Sequence, residues 1–289
     1  MTKQRNSNLF DLILRQVGQG GLWLNAGLGL AFLYLPIFIL VIYSFNTSRF
    51  NAVWRGFTLD WYRRLLFGIT GGRAPITDTM IWDALHNSLV IAAISTLLAT
   101  VLGTMVAFAL ERFRFPGRRA IEGLLFLPII IPDIAMGISL LVFFSLAFQL
   151  LEALTGIHLV LGLPTVIIGH VAFNISFVAV TVRGRIAALD PALEEAAWDL
   201  GANQWQAMWR ITLPLIAPGI LSAALLAFTL SLDDFVITFF TTGVGITTLP
   251  LYVYGMIKFS VTPAINALST LILLVSLIFV TSSLAVRDR

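Results

Sequence analysis

The chain of 289 residues has no cysteine, which excludes disulfides and thiolate metal sites. Charge is nearly as scarce: 11% of residues are charged and 58% are hydrophobic. A soluble domain carries roughly 25% charged residues to build its polar shell, so most of this surface faces something other than water. There are only two lysines, Lys3 and Lys258, and neither follows a glycine-rich run. The backbone-and-lysine cradle of a P-loop is therefore excluded, and with it ATP hydrolysis by that chemistry. The three histidines, His86, His158 and His170, are far apart and form no metal-binding spacing, so each reads as an interfacial or hydrogen-bonded side chain. An intramembrane enzyme is the weakest reading, since the sequence shows no histidine cluster, no catalytic dyad pattern and no cysteine. The net charge of +3 comes from basic residues at segment ends, which offers nucleic acid no patch to bind.

Long apolar runs are what the chain does have. Six stretches reach the ~20 residues that a membrane span requires: 21–45, 85–110, 121–149, 164–182, 215–239 and 263–286. Hydrocarbon cannot satisfy free backbone groups, so each is expected to be a helix, and the absence of alternation excludes barrel strands. The uncharged run 16–48 far exceeds a signal-peptide core of about 7–15 residues and is expected to be an uncleaved first span. The short 111–119 loop carries Arg112, Arg114, Arg118 and Arg119 beside two spans, which sets that side as cytoplasmic and puts both termini there. The expected organisation is a segment 1–83 with tail, first span and outer loop, a five-helix core 84–286, and a tail 287–289. The outer loop 46–83 holds Trp54, Phe57, Trp61, Tyr62 and Trp82, which suits an interfacial aromatic belt, with partner binding as the alternative.

The polar loop 183–214 is the most distinctive segment. Asp190 fits an N-cap, Pro191 the first helical position, and Glu194 and Glu195 the positive end of a helix. Gly201 permits the left-handed turn that ends it. Asn203 can cap a second short helix, which Pro214 is expected to bound. Leu193, Ala197 and Leu200 share one face, and Trp205, Met208 and Trp209 form another apolar cluster. Helices this short are marginal in water alone. Their apolar faces imply either a partner or packing against the protein's own helix ends.

Glu195-Ala196-Ala197, three residues, Gly201, nine residues, Ile211, one residue, Leu213-Pro214 matches the EAA signature of ABC importer permeases without a gap. The chain resembles the binding-protein-dependent transport permease family from about residue 85 to the C-terminus. The resemblance implies an all-α membrane protein with the type I importer fold. It also implies that Glu195, Ala196, Ala197, Gly201, Ile211, Leu213 and Pro214 couple the chain to a separate ATPase. The segments 40–46, 231–236 and 263–268 look like the spermidine/putrescine branch. That likeness implies a bacterial inner-membrane complex: a second permease subunit, two ATP-binding subunits carrying ATP and Mg, and a periplasmic substrate-binding protein. Opines, phosphonates or amino-acid derivatives are the alternative solutes.

Carboxylates within apolar runs are costly and usually face a cavity or a partner. Asp133, about 12 residues into the third run, is expected near mid-bilayer on a helix kinked by Pro132. Asp233 and Asp234 are expected near the outer edge of the fifth run, with Asp234 slightly favoured as the path-lining member. Asn174 in the fourth run is the remaining path candidate, against a role in helix packing. A negative path lowers the barrier for a cation. A stand-alone ion-coupled transporter would also explain six spans with buried carboxylates, but it leaves the apolar faces of the 183–214 loop without a purpose.

Overall fold

The computed structural model describes residues 3–48, 53–67, 76–259 and 263–287. Apart from one antiparallel bridge between Asn46 and Phe57, every regular element described is helical. The chain divides at Asp78 and Met256 into two compact units. In one, α12 (Pro263–Arg287) packs on α1 (Lys3–Tyr43) and on α2 (Asp60–Phe67). The other holds α3 (Ile76–Arg112), α4 (Arg118–Ile130), α5 (Asp133–Thr155), α6 (Leu163–Ala187), α7 (Ala192–Asp199), α8 (Gln204–Ala207), α9 (Leu213–Leu232) and α10 (Val236–Thr241). A further helix, α11, covers Leu249–Phe259.

Five described helices are long and apolar enough to cross a membrane: Gln19–Tyr43, Met80–Arg112, Asp133–Thr155, Leu163–Ala187 and Gln204–Leu232. The sixth apolar run, 263–286, is helical as α12. The chain is a multi-pass membrane protein.

Three of the expected boundaries change. The run 121–149 is not one kinked helix but two, α4 and α5, separated at Ile131 and Pro132. Pro132 has no N–H to donate to the carbonyl four residues back, and its ring clashes there. With the extended ψ of 138° at Ile131, the helix stops rather than bends. The run 215–239 also breaks. α9 ends at Leu232, and Asp234 accepts from the N–H groups of Ile237 and Thr238 at 3.3 and 2.8 Å, so its carboxylate starts a new helix, α10. Pro214, expected to bound a short helix, instead lies in the first turn of α9. The π-helical turn Met208–Thr212 joins α8 to α9, with the Leu213 N–H donating five residues back to Met208. That wider turn relieves the contact a proline ring makes with the carbonyl of residue 210 in a regular helix.

The second unit is organised where α3, α6 and α9 meet. Ala107, Val178, Val182, Ile186, Ile216, Ala223 and Ala227 are buried together. Small residues permit this approach, since lipid tails supply no hydrophobic drive between helices. A Cβ on Gly103 would stand 2.7 Å from Val178 Cβ.

The segment that follows α1 is organised around Asn46. Its side chain accepts from Ser48 and Arg55 N–H and donates to the Val53 carbonyl, while Trp61 donates to its main-chain oxygen at 2.9 Å. Phe45 stacks on Phe57 at 5.2 Å. The two expectations for this loop, belt or partner surface, both remain compatible with Trp54 and Phe57, which stay exposed.

Gly103→Val is expected to force α3 away from α6 and destabilise the chain by about 1–3 kcal/mol, read as a lowered unfolding midpoint in detergent. Gly123→Ala, where a Cβ meets nothing within 4 Å, should not lower it.

Candidate functional site

The loop 183–214 folds as two short helices around a glycine, and Asp190, Gly201 and Asn203 close the helix ends expected of them, whereas Pro214 does not. Asp190 Oδ1 accepts from Ala192 N–H at 3.0 Å, with Pro191 already in helical conformation. At the other end of α7 the Gly201 N–H donates to Trp198 O at 2.9 Å and the Ala202 N–H to Ala197 O at 3.0 Å. That is a Schellman closure. Gly201 takes φ of 86°, which a β-branched residue resists. Asn203 Oδ1 accepts from Gln206 N–H at 2.8 Å, and Gln206 Oε1 accepts from Asn203 N–H at 3.0 Å, a reciprocal capping box.

The apolar faces of these helices are largely uncovered. Leu200 is 90% exposed and Trp205 69%. Leu193, Trp198 and Trp209 are exposed as well, and the Trp205 and Trp209 rings meet edge to face at 5.6 Å. Of the signature residues, Glu195, Ala196, Gly201 and Pro214 are exposed, Ala197 is buried, and Ile211 and Leu213 are half-buried. Leu213 packs against the α3–α6–α9 core. The element therefore has an inner edge fixed to the bundle and an outer apolar edge left exposed.

What fixes the inner edge is Glu194, which the sequence marks only as a helix-start residue. Arg112, at the end of α3, donates through both terminal nitrogens to the Glu194 carboxylate, one bond at 2.6 Å. Thr212, in the π-helical turn, donates its hydroxyl to the same carboxylate. One side chain thus ties α7 to α3 and to the root of α9. Burial pushes the Glu194 carboxyl up, but the Arg112 and Thr212 donors outweigh it and hold the group below the ordinary 4.5. Nearby, Arg183 on α6 donates to Glu111 and pairs with Glu122, both at 3.0 Å, joining α6 to α3 and α4. No local pattern reveals these pairs, because Arg112 and Glu194 lie 82 positions apart.

The expected path residues fall in two places. Asp133 is exposed and begins α5, rather than lying within one continuous kinked helix. Asp233 is exposed at the end of α9. Asp234, the slightly favoured path member, is the one engaged internally. It caps α10, accepts from Thr238 Oγ1 at 3.0 Å, and lies 3.2 Å from His170 Nε2. The buried His170 reaches Ser231 Oγ at 2.5 Å through Nδ1, and Ser231 reaches Ser95 Oγ at 2.8 Å. This chain links α3, α6, α9 and α10. Ser231 stands beside the two aspartates in the sequence, yet only the fold shows its role. Asn174 is sealed at 0% exposure, and neither amide atom finds a partner among the described residues. No hydrogen bond or ion pair joins Asp133 to Asp233 or Asp234 among the described residues. However, α5 packs on α10, with Gly137 against Phe240, so both carboxylate positions lie at the starts of two packed helices.

Residues 99–288 match the family described as binding-protein-dependent transport system inner membrane component. The chain belongs to this family of transport permeases. It is 40% identical over 260 residues to the spermidine/putrescine transport system permease protein PotC of Escherichia coli K12, covering 90% of this chain and 91% of that protein. It is 43% identical over 247 residues to the putrescine transport system permease protein PotI of the same organism, covering 85% and 83%. A bacterial ABC transporter that imports the acidic polysaccharide alginate shares its fold, with a TM-score of 0.75 at 19% identity over 96% of this chain and 98% of that one. The methionine transporter MetNI superposes with a TM-score of 0.55 at 21% identity, over 73% and 96%.

Because the Glu194 carboxyl is depressed, its tie is complete above pH 4.5 and is lost only as pH falls through the lowered value. Glu194→Ala should therefore reduce hydrogen-exchange protection of the α7 amides at neutral pH, an effect the unaltered chain shows only under acid. Unchanged protection in the variant would mean that the tie does not hold the loop.

Proposed function

We propose that the chain is one permease subunit of an ATP-driven importer that carries a small polyamine, putrescine or spermidine, inward across the bacterial inner membrane. In this reading it has six spans with both termini in the cytoplasm. It works with a second permease subunit, two ATP-binding subunits that hold ATP and Mg, and a periplasmic binding protein that delivers the solute. The observation that carries the reading is identity of 40% and above, over 85–90% of the chain, to permeases named for these amines.

The physical chemistry supports a cation path. Each interrupted run leaves carbonyls at the end of one helix segment without partners, because the following residues no longer donate into the helix. Pro132 guarantees this at the end of α4, and Asp133 adds a carboxylate there; Asp233 does the same at the end of α9. Carbonyl ends of broken helices combined with carboxylates are a known way of holding cations within a membrane. A linear diammonium, with charge at both ends, suits two separated acidic positions better than one. Asp234 serves as the fixed support, since its oxygens are occupied by Thr238, Ile237 and His170.

The 183–214 loop supplies the drive. Its outer apolar edge docks on the ATP-binding subunit, and movement passes through Glu194 and the π-helical turn into α9, which carries Asp233 at its far end.

The direct test is ATPase stimulation of the reconstituted complex by its binding protein loaded with a panel of amines, opines and phosphonates. Stimulation by putrescine or spermidine alone is expected, whereas stimulation by an opine or phosphonate would reassign the solute. Asp133→Asn and Asp233→Asn are expected to lower polyamine uptake at least about tenfold with assembly intact, and uptake at the unaltered rate would remove the acidic path. Gly201→Val should abolish uptake while the chain still inserts, and Gly201→Asn, which tolerates the left-handed turn, should retain most of it.

A further inference from the structure

The turn between α3 and α4 encloses a recess of about 610 Å³ lined by Arg114, Phe115, Arg118, Arg119, Glu122 and Arg183. Four guanidinium groups surround it, but they are not equivalent. Arg118 is held by Glu122 at 3.1 Å, and Arg183 by Glu111 and Glu122 at 3.0 Å. Arg114 and Arg119 are exposed and make no ion pair among the described residues. Four arginines against two glutamates leave two positive charges in excess, both on groups free to bind an anion.

Setting membrane orientation needs only positive charge in the loop. It does not need two arginines fixed in a frame of carboxylates so that two others face one recess. Moreover, the recess opens beside an apolar surface. Along α4, Leu124, Phe126, Leu127 and Ile130 are exposed, and Phe113 is 64% exposed on the turn itself. A guanidinium pair binds a phosphate through several N–H donors at once, and the flank of α4 offers the apolar contact that acyl chains require. We infer that this recess binds the phosphate headgroup of an anionic phospholipid, with the lipid chains along α4. The site lies at the end of the bundle that carries the 183–214 loop, since Arg112, two residues before Arg114, is the group that holds Glu194. A lipid seated there braces the α3–α4 turn to which α7 is tied. The inference rests on the chain's membrane location and not on the solute it carries.

The test compares the full chain with Arg114→Gln/Arg119→Gln in mixed micelles of phosphatidylglycerol and phosphatidylcholine, with retained lipid counted by native mass spectrometry. The unaltered chain is expected to retain phosphatidylglycerol roughly tenfold over phosphatidylcholine, and the double variant to lose that preference. Arg114→Lys/Arg119→Lys should keep part of it, which separates loss of charge from loss of fold. The carboxylate frame is untouched by either variant, because it belongs to Arg118 and Arg183. Equal preference in the unaltered chain and the glutamine variant would overturn the proposal. So would displacement of the lipid by millimolar inorganic phosphate, which would make the site one for a free anion. A glutamine variant that keeps its lipid preference but no longer co-purifies with the ATP-binding subunit would likewise overturn it, by assigning the surface to a protein partner.

Discussion

Hydrocarbon offers no hydrogen bonds, so every backbone group within it must be satisfied by the chain itself. This constraint explains the long uninterrupted helices, and it makes each interruption informative. The break at Pro132 and the break at Asp233–Asp234 both fall inside runs apolar enough to have continued as helix. The second is kept by a dedicated side chain, because Asp234 accepts from the Ile237 and Thr238 N–H groups at the start of α10, which no preceding helical carbonyl receives. The serine, histidine and threonine partners around it form a continuous polar bridge across four helices, so the interruption is supported rather than strained. A membrane protein keeps such features where polar groups have work to do.

At the opposite end of α9 the problem is mechanical. Two short helices with exposed tryptophans must be positioned without a core of their own. Their caps fix their internal geometry, and one carboxylate fixes them to the bundle. Glu194 receives donors from α3 and from the π-helical turn, so displacement of α7 cannot leave the root of α9 unmoved. A π turn is less tightly wound than its neighbours and is a natural place for such displacement to be absorbed or passed on. The same helix thus joins the exposed 183–214 loop at one end to an acidic break at the other, which is the connection that the proposed coupling requires.

The local chemistry of the docking element was legible in the linear chain. Asp190, Gly201 and Asn203 act through neighbours two to five positions away, so their roles follow from residue type and spacing. The breaks were less legible. Pro132 reads equally as a kink or a stop, and only the extended backbone at Ile131 decides for the stop. That decision moves Asp133 from the middle of a helix to its beginning. Asp233 and Asp234 are both path candidates in the sequence, and only the fold shows that Asp234 is the one engaged by His170, more than sixty positions away. The ties made by Arg112 and Arg183 could not be read at all, since in sequence these arginines carry only the signal of membrane orientation.

Because the chain has no cysteine, a single introduced thiol reports unambiguously on what touches it. The central claim is that the exposed edge of α7 meets an ATP-binding subunit and moves with it. Ala196→Cys in the assembled complex, labelled with a short reagent that alkylates the thiol at one end and inserts by photolysis into any adjacent bond at the other, should join the chain to that subunit, and the yield should change between nucleotide-free and ATP-bound states. An active complex in which Ala196→Cys forms no such cross-link in either state would contradict the account.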